Sequence, residues 1–301
     1  MREQKGTGSP DPVPSDVDTG RPSVARINDY ALGGKDNYQI DRDVYEQILE
    51  LNPEFPAQVR ATRHFVVQSV WRMAQAGIDQ FVALGTGLPT TPNVHEVARR
   101  LQPSARVVYV EPEPMVAAHA RALLASRPGL AAVQHDVNDP VSILTDPVVG
   151  ATLDPSKPIG VHFALMHYAP QPAARSVMAF HREKLAPGSM LALSALQVGV
   201  VGSDAGRDRA DDPAGAAIRA IAAKLVYRTA AEIEELFVGL ELLEPGIRDV
   251  AEWARLDLPL DVTVPDVMPV PEVLGRLGGI GRVPHQRQPV MGQPAVAKAR
   301  T

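Results

Sequence analysis

The sequence predicts an α/β fold in which a mostly parallel sheet carries helices on both faces. Two observations support this prediction: short apolar runs alternate with amphipathic segments, and helices of about ten or more residues separate five successive runs. Parallel neighbours need long right-handed crossovers, so this alternation favours a parallel sheet over a series of hairpins. The 301-residue chain, 45% hydrophobic and 22% charged, allows one core of roughly 200 to 250 residues plus appendages.

The chain is predicted to divide into four segments. Residues 1–21 mix charges with prolines where a signal peptide would carry a continuous apolar block, which indicates a disordered leader. Residues 22–76 are expected to form a helical cap, and residues 78–284 the sheet domain. Residues 285–301 contain no acid and little periodicity, so we interpret them as a disordered tail.

The elements of the cap and of the sheet follow from the apolar pattern. In the cap, the loop GGKDN (33–37) separates two helical pieces, and a long amphipathic helix is predicted over residues 56–75. Seven strands are predicted at 80–84, 107–110, 131–134, 159–165, 190–196, 240–243 and 277–283, the last antiparallel at the sheet edge. Helices are expected near 94–101, 116–124, 173–185, 214–225 and 230–237.

Composition argues against several classes of function. Thirty Lys and Arg against 35 Asp and Glu leave a charge of -5, so there is no basic field to attract nucleic acid or an anionic membrane. The absence of cysteine fits the reducing cytoplasm and excludes disulfides and thiolate metal sites. The longest mostly apolar stretch, 190–202, is shorter than the ~20 residues that span a bilayer. No metal is expected, because HEVAR at 95–99 fails the H-E-x-x-H pattern.

Ligands of parallel α/β sheets bind at the carboxyl ends of the strands, and three predicted ends carry suitable residues. The first strand leads into Gly85-Thr86-Gly87, which is not a dinucleotide motif because Thr90 takes the third glycine position. Glu111 ends the second strand, where an acid can accept both hydroxyls of a ribose. Asp136 ends the third, where it could hold an adenine amino group or, alternatively, cap the helix after Pro140. Together these ends predict an adenosine pocket without a pyrophosphate site.

Three segments add a more specific signal, namely DYALGGKDN (29–37), ALGTGLPT (83–90) and LMHYAP (165–170). They resemble the actinobacterial S-adenosyl-L-methionine-dependent methyltransferase family, formerly a domain of unknown function, in the class I methyltransferase superfamily. The resemblance extends over about residues 22–284. It implies a Rossmann-like class I methyltransferase fold with a seven-stranded sheet and an N-terminal helical cap, S-adenosyl-L-methionine as the cofactor, and methyl transfer to a small-molecule acceptor.

The resemblance also implies which residues bind the cofactor. Gly85, Thr86 and Gly87 would face its methionine part, Glu111 with Pro112 its ribose, and Asp136 with Val137 its adenine. A lid near the methionine end would be formed by residues of the cap: Tyr30, Gly33, Gly34, Lys35, Asp36 and Asn37. From the residues alone, Lys35 would be an ordinary exposed lysine, and Asp36 and Asn37 a turn.

One departure from the family pattern concerns the cofactor. Relatives usually carry an acid two residues before the first glycine, in a pattern like D-I-G-T-G, and this chain has Ala83. That acid commonly organises the glycine turn and helps to bind the amino group of the cofactor, a contact that Asp36 could take over. The alternative is a degenerate module that binds the cofactor or its demethylated product, or acts through protein contacts, without catalysis. A nicotinamide-dependent oxidoreductase is disfavoured by Thr90.

His167 is the candidate catalytic residue. Methyl transfer from a sulfonium is an in-line displacement that the protein assists mainly by positioning and desolvation. A general base is needed only for a poorly acidic hydroxyl or a protonated amine, and His167 lies just past the fourth strand end, beside Tyr168. The alternative is a structural histidine that caps the next helix. The acceptor pocket is expected to be built from the cap and from the segments 198–212 and 252–271.

Overall fold

A computed structural model describes residues 20–164, 166–198, 213–258 and 271–285 of the chain. Apart from residues 20, 21 and 285, the predicted leader and tail lie outside these residues. Most residues of the segments 198–212 and 252–271, which are expected to shape the acceptor pocket, also lie outside the described residues.

One sheet contains all nine strands found in these residues. Its main path has the order β3-β2-β1-β4-β5-β9-β7, with β6 paired to β5 and β8 to β9. The strands β1 to β6 pair in parallel, whereas β9 is antiparallel to its neighbours. The strands are β1 Gln80–Leu84, β2 Arg106–Glu111, β3 Leu130–Gln134, β4 Gly160–Phe163, β5 Met190–Gln197, β6 Tyr227–Arg228, β7 Glu241–Leu242, β8 Arg248–Asp249 and β9 Arg276–Arg282.

The mostly parallel sheet is confirmed, and its seven-strand path contains the seven predicted strands. The two-residue strands β6 and β8 were not predicted, since a pair of residues carries no periodicity. The edge position expected for the last strand was wrong, because β9 lies between β5 and β7. Glycines make this inner position possible: a Cβ at Gly278 would lie 3.0 Å from the ring of Phe65, and one at Gly281 would lie 2.8 Å from Leu240.

Eleven helices occur in the described part of the chain. The helix expected from residue 56 to 75 is α3, and the loop GGKDN does separate two helices, α1 and α2. The bounds are α1 Val24–Ala31, α2 Gln39–Leu51, α3 Phe55–Gln75, α4 Val94–Leu101, α5 Pro114–Leu123, α6 Pro140–Thr145, α7 Pro147–Thr152, α8 Gln171–Lys184, α9 Pro213–Ala222, α10 Ala230–Glu235 and α11 Val250–Ala254. A single 3₁₀ turn, Met166–Tyr168, follows β4. Helices α7 and α11 are six and five residues long and were missed, whereas α6 is the helix expected after Pro140.

The sheet is covered by an apolar core on each face, which confirms the predicted arrangement of helices. On one face, Phe65 and Val70 of α3 and Trp253 of α11 are fully buried against the sheet. On the other face, Met178 of α8 and Ile233 of α10 pack over the same strands. Burying such side chains provides the main favourable free energy of folding.

Helix α1 covers the carboxyl end of the sheet rather than a face. Its Ile27 packs with Val44 of α2 and Ile218 of α9. Arg26 Nε pairs with Asp41 at 2.7 Å, and Ser23 Oγ donates to Glu113 Oε2 at 2.7 Å. Helix α3, in contrast, lies on the sheet itself, so the proposed boundary between cap and sheet domain near residue 77 stays a prediction.

The described helices include none that is long and apolar enough to cross a membrane.

Candidate cofactor and acceptor site

A cavity of about 1080 Å³ opens at the carboxyl ends of the parallel strands. Residues that follow β1, β2, β3 and β4 line it, and helices α1, α3 and α9 contribute to its walls. A cavity of this size lies near the upper end of the range for small-molecule and cofactor sites. Of the residues predicted to bind the cofactor or act in catalysis, the structure places these on its walls: Gly85, Thr86, Gly87, Glu111, Pro112, Asp136, Val137 and His167.

The glycine turn after β1 adopts a backbone conformation that favours glycine. Gly85 and Gly87 have φ of 68° and 81°, in the left-handed region. A Cβ added at Gly87 would meet no atom within 4 Å, so the space beside it belongs to the cavity. The Gly85 amide donates to the carbonyl of Val110 at 2.8 Å, which fixes the turn against β2. A ligand can therefore approach this backbone closely.

Glu111, the last residue of β2, contacts the glycine turn directly. Its Oε1 accepts hydrogen bonds from Thr86 Oγ1 and from the Gly87 amide, both at 3.1 Å. The side chain is only 3% exposed. Burial raises the pKa of Glu111 to about 8, although the bonds from Thr86 and Gly87 act in the opposite direction. At neutral pH this carboxyl therefore carries a proton in most molecules.

Asp136 and Val137 follow β3 on the same cavity wall. Asp136 is exposed, and its Oδ1 accepts from the Asn138 amide at 2.9 Å, while Val137 is buried. The alternative role considered for Asp136, capping the helix that starts at Pro140, was wrong. Asp139 caps that helix, because its Oδ1 accepts from the Ser142 amide at 3.1 Å. The carboxylate of Asp136 is thus left on the cavity wall.

The loop after α1 does not line this cavity. The six predicted lid residues, Tyr30, Gly33, Gly34, Lys35, Asp36 and Asn37, are absent from its walls. The loop instead encloses Asp29, which does line the cavity and which sequence reasoning missed. Asp29 Oδ2 accepts from the Asp36 amide and from Asn37 Nδ2, both at 2.9 Å. The cofactor contacts expected of these six residues stay a prediction.

Asp29 and Gly34 are in very close contact. A Cβ at Gly34 would lie 2.0 Å from Asp29 Oδ1, so only glycine fits at this position. Burial raises the pKa of Asp29 above its ordinary value, and the bonds from Asn37 and Asp36 act in the opposite direction. The loop therefore holds an acid of α1 in place at the cavity wall.

His167 lies in the 3₁₀ turn after β4 and contacts Arg276 of β9. Its Nδ1 is 3.3 Å from Nη1 of Arg276. Burial holds the pKa of His167 well below its ordinary value, and the charge of Arg276 adds to this effect. The ring is neutral at neutral pH, and because Arg276 can only donate, Nδ1 accepts and the proton resides on Nε2. His167 does not cap the next helix, since α8 begins after Pro170.

Two cavity arginines were not found from the sequence. Arg63 of α3 donates through Nη2 to the carbonyls of Thr90 and Pro92, at 2.6 and 2.5 Å. A signal for it exists: Arg63 is four residues after Val59 and three before Val66, on the apolar stripe of its helix. Arg276 offered no comparable signal, because its role depends on the pairing of β9 with β5.

In the ranges that the structure describes, no group of three or more His, Asp or Glu side chains could hold a metal ion.

Comparison with known proteins agrees with this geometry. Residues 10–283 match the profile of a family described as S-adenosyl methyltransferase. A candidate methyltransferase from Thermobifida fusca is 36% identical, with 89% of this chain and 97% of that chain covered and a TM-score of 0.73. A protein of the DUF574 family from Streptomyces avermitilis is 34% identical, with 88% and 99% covered and a TM-score of 0.75. No curated protein matches the chain.

The family match covers most of the chain, and both similar crystal structures come from actinobacteria. This confirms the resemblance, the class I methyltransferase fold and the cofactor that the sequence predicts. The protein belongs to the S-adenosyl methyltransferase family, and it is an S-adenosyl-L-methionine-dependent methyltransferase.

Proposed function

We propose that this methyltransferase acts on a small-molecule acceptor, by in-line displacement at the methyl group of the bound sulfonium. One observation carries the proposal: a single cavity is lined both by the ends of β1, β2 and β3 and by residues after β4 and β5. The first group suits an adenosyl group, which leaves the second for an acceptor of small size. A macromolecular acceptor is disfavoured by the net charge of -5 and by the helix α1 over the cavity.

Two features of the cofactor end of the cavity support its assignment to S-adenosyl-L-methionine. The open space beside Gly87 and the buried carboxyl of Glu111 support the roles proposed for this wall. In this assignment Gly85, Thr86 and Gly87 face the methionine part. Glu111, with Pro112 beside it, takes the ribose hydroxyls, and Asp136 with Val137 takes the adenine. The six residues of the loop after α1 form a lid near the methionine end in this assignment, and two of them, Asp36 and Asn37, hold the carboxylate of Asp29.

The acceptor end has an apolar and aromatic lining. When bound, the cofactor supplies a methyl group activated by the positive sulfur. The chain's residues position the acceptor and exclude water. Tyr168 and Tyr227 line this end together with Leu196. The sequence suggested His167 as a general base; we instead assign it to contact with the acceptor as a hydrogen-bond donor through Nε2, because Arg276 occupies its Nδ1.

Calorimetry with three ligands tests the proposed function. We expect S-adenosylmethionine and S-adenosylhomocysteine to bind, and NAD not to bind, because the glycine turn has no pyrophosphate motif. Binding of NAD in preference to the other two would contradict the assignment. If none of them bound, the alternative suggested by Ala83 would be favoured, namely a module that acts through protein contacts without catalysis. Radiolabelled methyl transfer to a library of small aromatic acceptors would then identify the acceptor.

We propose the cytoplasm as the place of action, without nucleic acid or membrane as a partner. The absence of cysteine and the net negative charge support this assignment.

A further inference from the structure

Arg63 is a buried cation without a carboxylate partner. Its side chain is 7% exposed and lines the cavity. Nη2 is used by two backbone carbonyls, but Nε has no hydrogen-bond partner, and none of the described acids forms an ion pair with Arg63. Burial lowers the pKa of Arg63 to about 10, so the group remains charged at neutral pH. An unpaired buried charge is costly, which indicates that something else pairs with it.

Arg63 lies on α3, the helix that covers the sheet face to which Ala83 belongs. In the sheet, Ala83 pairs with Tyr109 on one side and with His162 on the other. Arg63 is close enough to both for electrostatic interaction: Tyr109 raises the pKa of Arg63, and Arg63 lowers that of His162. The side chains at 83, 109 and 162 belong to the same face of the sheet, the one that α3 covers.

A second unpartnered polar atom lies at the same place. His162 is 2% exposed, and its Nδ1 is 2.9 Å from Ser69 Oγ, but Nε2 has no partner. Ala83, which pairs with His162 in the sheet, is fully buried and offers only a methyl group. Among the described acids, Glu96 raises the pKa of Arg63, and its Oε2 already accepts from the Asn93 amide at 2.6 Å. The described part of the chain therefore pairs no carboxylate with Arg63.

We infer that Arg63 binds the carboxylate of the methionine part of the cofactor, and that Ala83 keeps the guanidinium free for this contact. The inference rests on the proposed binding of the adenosyl group along β1 to β3. Arg63 donates to the carbonyl of Thr90, in the segment that continues the glycine turn, so it lies at the end of the cavity assigned to the methionine part. The Nε of Arg63, which has no partner, can donate a charge-assisted hydrogen bond to a carboxylate.

Two ligands separate this contact from the rest of the site. S-adenosylmethionine and its decarboxylated analogue share the adenosine, the sulfonium and the amino group, and differ in the carboxylate. We expect calorimetry to show at least a tenfold preference of the wild-type protein for S-adenosylmethionine, since hydrogen bonds to charged groups contribute about 1.5–3 kcal/mol. Equal affinities would overturn the inference and leave the proposed function intact. Binding of neither ligand would overturn both.

Two variants test whether the preference for S-adenosylmethionine over its decarboxylated analogue comes from Arg63. In Arg63→Gln the ratio of the two affinities should fall to about one, because the analogue loses nothing. Arg60→Gln, a matched change on the same helix at a residue outside the cavity wall, should keep the wild-type ratio. A purely structural role of Arg63 would weaken both ligands equally and preserve the ratio, which would overturn the inference. Because the ratio is taken within one variant, a general loss of stability does not imitate the expected result.

The variant Ala83→Asp gives a prediction with a definite sign. The new carboxylate would lie beside His162 and would pair with Arg63. Affinity for S-adenosylmethionine should then fall about tenfold, whereas affinity for the decarboxylated analogue should not fall. A gain in affinity for both ligands would show that position 83 serves the amino group instead, and would contradict the inference.

Discussion

The turn after β1 and the loop after α1 both contain glycines of similar conformation, but they lie differently relative to the cavity. Gly87 in the turn after β1 and Gly33 in the loop after α1 have nearly the same φ, 81° and 80°, and a Cβ at either would meet nothing within 4 Å. Only Gly87 lines the cavity. The turn exposes its backbone to the cavity, whereas the loop donates hydrogen bonds to the carboxylate of Asp29, which lines the cavity. A sequence motif can therefore belong to a loop that positions a residue of the site, and not only to the site itself.

The largest difference between the two segments should appear in ligand binding. Gly87→Ala and Gly33→Ala force alanine into the same left-handed conformation, at a similar cost of about 1–2 kcal/mol. The methyl group in Gly87→Ala also enters the space assigned to the cofactor. We expect its affinity for S-adenosylhomocysteine to fall about a hundredfold, ~2.7 kcal/mol, and that of Gly33→Ala to stay within about threefold. Equal losses, measured by calorimetry, would show that the loop contacts the ligand.

The next effect concerns stability. Gly34→Ala would drive a methyl group into the carboxylate of Asp29, so the loop must shift. We expect the free energy of unfolding to fall by about 1–3 kcal/mol, as in other overpacked sites. Urea unfolding measures this change, with Gly150→Ala of α7 as the control, because a Cβ at Gly150 would meet nothing within 4 Å and its φ is not positive. If Gly34→Ala were no less stable than Gly150→Ala, the loop would not be a rigid support.

Glu111 makes ligand binding depend on pH. Its pKa of about 8 means that the free protein must lose a proton to present a carboxylate to the ribose. Affinity for S-adenosylhomocysteine should therefore rise about tenfold from pH 6 to pH 7 and level off above pH 8. Calorimetry at several pH values measures this slope, and Glu111→Gln should abolish it. A wild-type affinity that does not change over this range would contradict the role of the ionised group.

The same raised pKa has a second consequence. Between its ordinary value near 4.5 and about 8, the folded protein binds the Glu111 proton more tightly than the unfolded chain does. The contribution of Glu111 to the free energy of unfolding should thus decrease as the pH rises through this range.

The smallest effect is expected at Asp136, because this side chain is exposed. Loss of one hydrogen bond to the adenine amino group in Asp136→Ala should weaken S-adenosylhomocysteine binding by about threefold to tenfold. A ligand with hypoxanthine in place of adenine lacks that amino group, so its affinity should be less affected. An equal loss for both ligands would place the adenine elsewhere on the cavity wall.

The strand ends that build the cofactor wall could be predicted from the sequence. Each apolar run ends where a glycine or an acid takes over, and Leu84, Glu111 and Gln134 are the observed ends. The parallel arrangement then brings these ends to one edge, which requires no knowledge of side-chain packing. Topology alone therefore predicted that the glycine turn and the two acids share a cavity.

The remaining parts of the site depend on contacts that local sequence does not encode. Asp29 precedes Gly33, the first glycine of the predicted lid, by four residues, and its role comes from the way the loop folds back on it. Arg276 reaches His167 only because β9 inserts between β5 and β7. Arg63 follows the helical pattern of its own segment and acquires its role from Ala83 on a different element. Residues of this kind can be identified only once the three-dimensional arrangement of the strands, helices and loops is known.

The contacts between α3 and β9 have a consequence for the order in which the site assembles. Gln58 Nε2 of α3 donates to the carbonyl of Leu274 at 3.2 Å, and Phe65 rests on Gly278 of β9. Trp253, which packs edge-on against Phe65, donates to the carbonyl of Gly278 at 3.0 Å. Helix α3 is thus held by β9, the last strand in the part of the chain that the structure describes. During synthesis, these contacts of α3 can form only after the ribosome has released β9.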